Sequence, residues 1–157
     1  MYDQFSHDYD RFVNWSNRLA YELPFLLQKL NERPSQAGKP LRVLDAACGT
    51  GQHAIALAKF GMQVTGADLS AEMIEVAREN ARAVEVAVEF AAAGFGTLTD
   101  RFGEKAFDGL LCLGNSLPHL LNQRDLQAAM KDFYACLAPG GLLILQNRNF
   151  DGVFATH

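Results

Sequence analysis

Through residues 3–33 apolar side chains return every three or four positions, at Phe12, Trp15, Leu19, Leu23, Leu26, Leu27 and Leu30. That spacing predicts helix, in two pieces, with one apolar stripe. Pro34 to Pro40, with Ser, Gly and Lys between them, read as a loop. LRVLDAA (41–47) is a short apolar run followed by glycines, the pattern of a buried strand. Gln52 to Phe60 return to helical spacing and stop at Gly61. MQVTGAD (62–68) predicts a second strand, after which Ser70 can cap a helix carrying Met73, Ile74 and Ala77 inward. VEVAVEF (84–90) and AFDGLLCLG (106–114) predict strands three and four. A helix over 123–137 stops at Pro139-Gly140-Gly141, and LLILQNRN (142–149) predicts strand five. Strands alternating with helices imply an α/β fold, a doubly wound parallel sheet covered on both faces.

At 157 residues, 49% hydrophobic and 20% charged, the chain suits a single domain with a real core. Within it, 1–40 reads as an N-terminal helical segment over the site and 41–157 as the α/β core. The net charge of −4 argues against a nucleic-acid surface, which normally shows a basic stripe. No apolar run approaches the roughly 20 residues that span a bilayer. The opening MYDQFSHDYDRF lacks the order of a signal peptide. Cys48, Cys112 and Cys136 are odd in number and form no CxxC, so neither disulfides nor a zinc site is expected, and a reducing cytoplasm fits best. The four histidines show no ligand spacing, and no metal is expected.

In a doubly wound sheet ligands bind beyond the carboxyl ends of the strands, where strand order reverses. Two predicted strand ends carry acids. Asp45 leads into Ala46-Ala47-Cys48-Gly49-Thr50-Gly51, a glycine turn opening a helix whose first N–H groups are free. Asp68 ends strand two, where a carboxylate can accept two hydrogen bonds from a ribose diol. An ordinary turn and a solvated or helix-capping aspartate are the bland readings. Gly49-Thr50-Gly51-Gln52-His53-Ala54 also loosely fits the dinucleotide pattern G-x-G-x-x-G/A, which keeps a nicotinamide oxidoreductase as a rival. Asp45 separates the two, because a carboxylate there repels a pyrophosphate and attracts an ammonium group.

VLDAACGTG, VTGADLSAEMI, FDGLLCLGNSLPHL and LAPGGLLILQNRNFD resemble, in order, the motifs of class I S-adenosylmethionine-dependent methyltransferases. The segments at strands four and five are most similar to the glycine/sarcosine N-methyltransferase type. The resemblance implies S-adenosyl-L-methionine as cofactor and a small molecule, such as an amino-acid-like amine, as methyl acceptor. It implies that Asp45 and the turn through Ala47, Gly49 and Gly51 hold the methionine part, and that Asp68 holds the ribose. Leu69 and Phe95 then bracket the adenine beside Gly94, with Leu113 and His119 lining the cleft. Arg18 pairs with the cofactor carboxylate, and Asn115 and Arg148 hold the acceptor. Asn115-Ser116, with Pro118 following, read equally as the start of a helix. No residue stands out as general base, which suits direct in-line transfer to a neutral amine.

Two departures from the family matter. Gly94 stands where relatives often carry Asp or Asn for the adenine amino group, leaving backbone contacts for that task. The chain also stops at His157, where the family usually adds two more strands. A C-terminally truncated core is therefore expected, with strand five an edge that a second copy of the chain, as a homo-oligomer, is one way of covering. A non-catalytic cofactor-binding module is the alternative to an active enzyme.

Overall fold

The computed structural model describes residues 10, 13–33 and 38–149. Phe12, the rest of the stripe before Val13 and the chain from Phe150 onward lie outside the described residues. Helix α1 (Trp15–Asn31) begins at Asn14, whose side chain accepts the Asn17 N–H at 3.1 Å. It runs on through Pro24, which sits inside it.

Five strands follow, β1 (Arg42–Ala46), β2 (Gln63–Asp68), β3 (Glu89–Ala92), β4 (Phe107–Cys112) and β5 (Leu137–Leu145). They form one sheet in the order β3-β2-β1-β4-β5, every described pair parallel. Between them lie α2 (Gln52–Lys59), α3 (Ala71–Ala83), α4 (Leu98–Phe102) and α5 (Gln123–Cys136), with one 3₁₀ turn at Leu117–His119. Val43 and Leu111 point to a core shared with Leu26 and Leu30 of α1, Ile55 and Leu57 of α2 and Ile74 of α3. Their strand neighbours Leu44 and Leu110 point the other way, to Leu98 of α4 and Phe133 of α5. This period-two alternation with both sides apolar is what a doubly covered parallel sheet requires.

Three boundaries differ from the sequence pattern. VEVAVEF alternates from Val84, yet pairing with β2 starts only at Glu89. The Val86 N–H donates to the Ala81 carbonyl at 3.0 Å, and Glu85 takes a φ of +55°, so this half of the run closes α3. Strand β5 starts before the Pro-Gly-Gly signal. Phe107 pairs with Leu137 and Gly109 with Leu142, so 138–141 bulge out of the ladder, which ends at Leu145 and not at residue 149. Helix α4 has no local signature. Its start is held by Asp132, whose carboxylate accepts the Leu98 and Thr99 N–H groups at 2.8 Å each.

β5 is an edge strand of the described sheet, with Leu145 37% exposed. Among the described residues no helix is long and apolar enough to cross a membrane, and the three cysteines are free and buried.

Candidate active site

Strand order reverses between β1 and β4, and beyond the carboxyl ends of the strands lies an open cleft of about 720 Å³. Each strand tip from β1 to β4 contributes to it: Ala47 and Gly49 after β1, Asp68 and Leu69 at β2, Gly94 and Phe95 after β3, and Gly114 and His119 after β4. The tip of β1 is wound tightly, with φ of +64° at Ala47, +54° at Gly49 and +79° at Gly51. A left-handed alanine is strained and persists only where its surroundings over-determine it. Here the Asp68 carboxylate does so. Its Oδ2 accepts the Gly49 N–H and its Oδ1 the Ser70 N–H, both at 2.9 Å. Ser70 in turn caps α3, its Oγ accepting the Met73 N–H at 3.3 Å. One side chain thus ties the glycine turn to the start of α3 and stays partly open to the cleft.

Asp45 is 2% exposed and lies beneath the turn. The Ala54 N–H holds it, and its Oδ2 has no hydrogen-bond partner among the described residues. Burial, reinforced by the nearby Asp68 charge, pushes its carboxyl up to about 7. Gly51 is also internal. A Cβ there would stand 2.7 Å from Cζ of Phe90 and 2.9 Å from the Ala77 Cβ, so glycine lets α2 pack close to β3 and α3. Cys48 packs beneath the turn as a small buried side chain, 7% exposed.

The structure therefore brings Ala47, Gly49, Asp68, Leu69, Gly94, Phe95 and His119 together on one wall. Leu113, expected to line the cleft, is instead 6% exposed and packed in the core with Leu26 and Val43. Asp45 and Gly51 sit behind the wall. Asn115 and Arg148 meet each other next to it, the Arg148 N–H donating to the Asn115 Oδ1 at 3.0 Å. Ser116 does not cap a long helix: its hydroxyl donates to the Leu113 carbonyl at 2.9 Å before a single 3₁₀ turn.

A family model described as "Methyltransferase domain" matches residues 43–141, from β1 through the glycines of β5. The chain belongs to the methyltransferase-domain family. Among curated proteins it is 37% identical to a glycine/sarcosine N-methyltransferase of Halorhodospira halochloris, over 96% of this chain and 54% of that one. Among solved structures, the PH0226 protein of Pyrococcus horikoshii OT3 superposes with a TM-score of 0.75 at 28% identity, covering 90% of this chain and 61% of that one. CalS10 of Micromonospora echinaspora, an amino pentose methyltransferase solved with SAM bound, gives 0.69 at 27% identity, covering 88% and 52%. The chain spans about half the length of the curated relatives it matches.

Behind the cleft lie polar contacts that the sequence pattern does not reveal. Asp10 is a hub: its oxygens accept Trp15 Nε1 at 2.8 Å, the Thr50 hydroxyl at 2.5 Å, Gln52 Nε2 at 3.1 Å and Asn80 Nδ2 at 2.9 Å. It ties the segment before α1 to the glycine turn. His53, 5% exposed, stands 2.6 Å from Glu22 through Nε2 and edge-on to Trp15. Burial, the largest influence, lowers the His53 pKa against the upward pull of Glu22. Burial alone would raise Glu22, but hydrogen bonds from Gln146 and His53 and the Arg18 charge carry it below its ordinary value. Arg18, which the resemblance pairs with the cofactor carboxylate, binds Glu22 through Nε at 3.2 Å and stacks over Trp15 at 5.0 Å. Thr50, Gln52, His53 and Gln146 lie within quoted motifs, yet the pattern does not disclose their partners, each of which lies far off in sequence or within a face that reads as solvated charge.

Proposed function

We propose that this cleft binds S-adenosylmethionine and that the chain transfers the methyl group to a small amine-bearing acceptor. The observation that carries the reading is Asp68 at the β2 tip, bonded to the glycine turn through the Gly49 N–H and partly open to a cleft that Leu69 and Phe95 also line. A carboxylate offers about four acceptor positions. The Gly49 and Ser70 N–H groups take two, which leaves room for a ribose diol. Leu69 is 83% exposed at the cleft, which leaves its side chain open to a flat apolar part of a ligand. Gly94 permits this, since a Cβ there would come within 2.9 Å of Cδ1 of Leu69. Asp68, on the wall and partly exposed, gives the site the negative character that suits a cationic ligand. The residues present fit the cofactor.

When bound, S-adenosylmethionine supplies a methyl group already activated by its cationic sulfur. The chain's own work is then alignment and electrostatics. Asp68 and the turn orient one end, Leu69 and Phe95 enclose the flat part, and Arg18 offers a cation for a carboxylate. Asn115 and the exposed Arg148 would meet an acceptor carboxylate at the β4 tip. The names of the relatives, glycine/sarcosine and amino pentose methyltransferases, support an amine acceptor. In this reading α1 covers the cofactor side of the cleft.

Titrating S-adenosylmethionine should raise the melting temperature progressively, because a ligand of the native state stabilises by mass action. Transfer of labelled methyl to glycine or sarcosine tests the acceptor class, with Arg148→Ala expected to raise KM for carboxylate acceptors. Unchanged melting across the cofactor titration would refute the cofactor reading. An Arg148→Ala variant with parental KM would remove that residue from the acceptor site.

A further inference from the structure

We propose that Glu22 and Gln146 act as a positioning pair, fixing the Gly114–Asn115 bend at the cleft wall and aiming Arg18 at it. The proposal rests on reading the cleft as the cofactor and acceptor site. Gly114 and Asn115 take successive left-handed conformations, with φ of +70° and +65°. Glycine takes this region freely and asparagine more readily than most residues, so the bend itself costs little and its position is set by partners. Gln146 supplies them. Its side-chain Oε1 accepts the Gly114 N–H at 3.0 Å, its carbonyl accepts the Asn115 N–H at 3.2 Å, and its own N–H donates to the Cys112 carbonyl at 3.0 Å.

The shape of an amide does not say which end is oxygen; its partners do. Gln146 Nε2 donates to Glu22 Oε1 at 2.7 Å, and this turns Oε1 toward Gly114 and toward Arg18 Nη2 at 3.4 Å. Reversed, the amide would point its N–H groups at the Gly114 N–H and a guanidinium, donors against donors, with its oxygen against a carboxylate. Glu22, on a helix 124 residues earlier, therefore selects the amide orientation that the bend needs. The Glu22 carboxylate is itself fixed by Arg18 Nε, at 3.2 Å to each oxygen, and by His53 at 2.6 Å, with its side chain 14% exposed. Arg18 is thereby aimed: its Nη2 lies 3.4 Å from where a Cβ on Gly114 would stand.

The test is an exchange of chemistries in the 157-residue chain. Gln146→Glu sets two carboxylates against each other, whereas the double variant E22Q/Q146E restores one amide and one carboxylate with the acceptor still facing Gly114. Amide hydrogen exchange at Gly114 and Asn115, read by NMR, and calorimetric titration of S-adenosylmethionine are measured on both. Q146E should speed exchange at Gly114 and weaken binding, each by about tenfold, and the double variant should return both to within about threefold of the parent. Should Q146E fail to fold, Gln146→Met replaces it. That variant keeps the backbone bond to Asn115 and should speed exchange at Gly114 alone. Parental exchange in the single variants, or no recovery in a double variant that melts like the parent, overturns the proposal. A parent chain that does not bind S-adenosylmethionine removes the cofactor reading, while the exchange comparison still decides whether the pair holds the bend.

Discussion

At the level of single residues, the acids and glycines of the β1 and β2 tips divide their work in a way composition alone hides. Gly51 serves packing: with a φ of +79° and Phe90 2.7 Å from any added Cβ, Gly51→Ala should cost about 1–3 kcal/mol in urea unfolding. Loss of ligand affinity without loss of stability would show instead that Gly51 touches the ligand. Asp45 is a titrating group under the turn. Its folded pKa of about 7 lies above its ordinary value of 3.8, chiefly through burial. Stability from such a group is fully present below the unfolded value and is lost as pH rises through about 7. Asp45→Asn keeps the shape and removes the titration. The variant should therefore gain on the parent in urea midpoint as pH rises from about 5 to about 8. The comparison cancels the acid-side effects of His53, Glu22 and Asp108, whose pKa values are lowered. A flat difference would contradict the buried placement of Asp45.

At the level of elements, what could be read in advance is what local pattern determines. β1, α2, β2 and α3 were legible because apolar spacing, a glycine stop and a serine cap all act within a few residues. The start of β3 was not, because Val86 closes the preceding helix before the alternation it opens can pair. The bulge of β5 depends on register with β4. Helix α4 depends on Asp132 in α5. Asp132→Ala would leave the Leu98 and Thr99 N–H groups without their acceptor, at a cost of about 1–3 kcal/mol. Because Gly94 and Phe95 immediately precede α4, hydrogen exchange should quicken there as well as in α4. Acceleration spread evenly over the sheet would mean that Asp132 stabilises the molecule globally and not this helix.

At the level of the whole molecule, the parallel sheet with a reversal between β1 and β4 concentrates the strand tips on one edge, and the cleft follows from that topology. Asp68, Leu69, Gly94 and Phe95 could be placed at such tips from the sequence because each follows a strand-like run. The clamp of Glu22, His53 and Gln146 could not, since it joins α1, α2 and the exit of β5 only after folding. Leu113 was misplaced for a related reason: one residue past β4, the chain still turns its side chain into the core. The central claim is that Asp68 grips a cationic adenosyl ligand at the β2 tip. Charge-assisted hydrogen bonds contribute about 1.5–3 kcal/mol each, and about 1.4 kcal/mol is a factor of ten. Calorimetric titration of S-adenosylmethionine should therefore show binding by the parent and affinity roughly ten- to a hundredfold weaker in Asp68→Ala. Equal affinity in the two proteins, or no binding by either, would contradict the account.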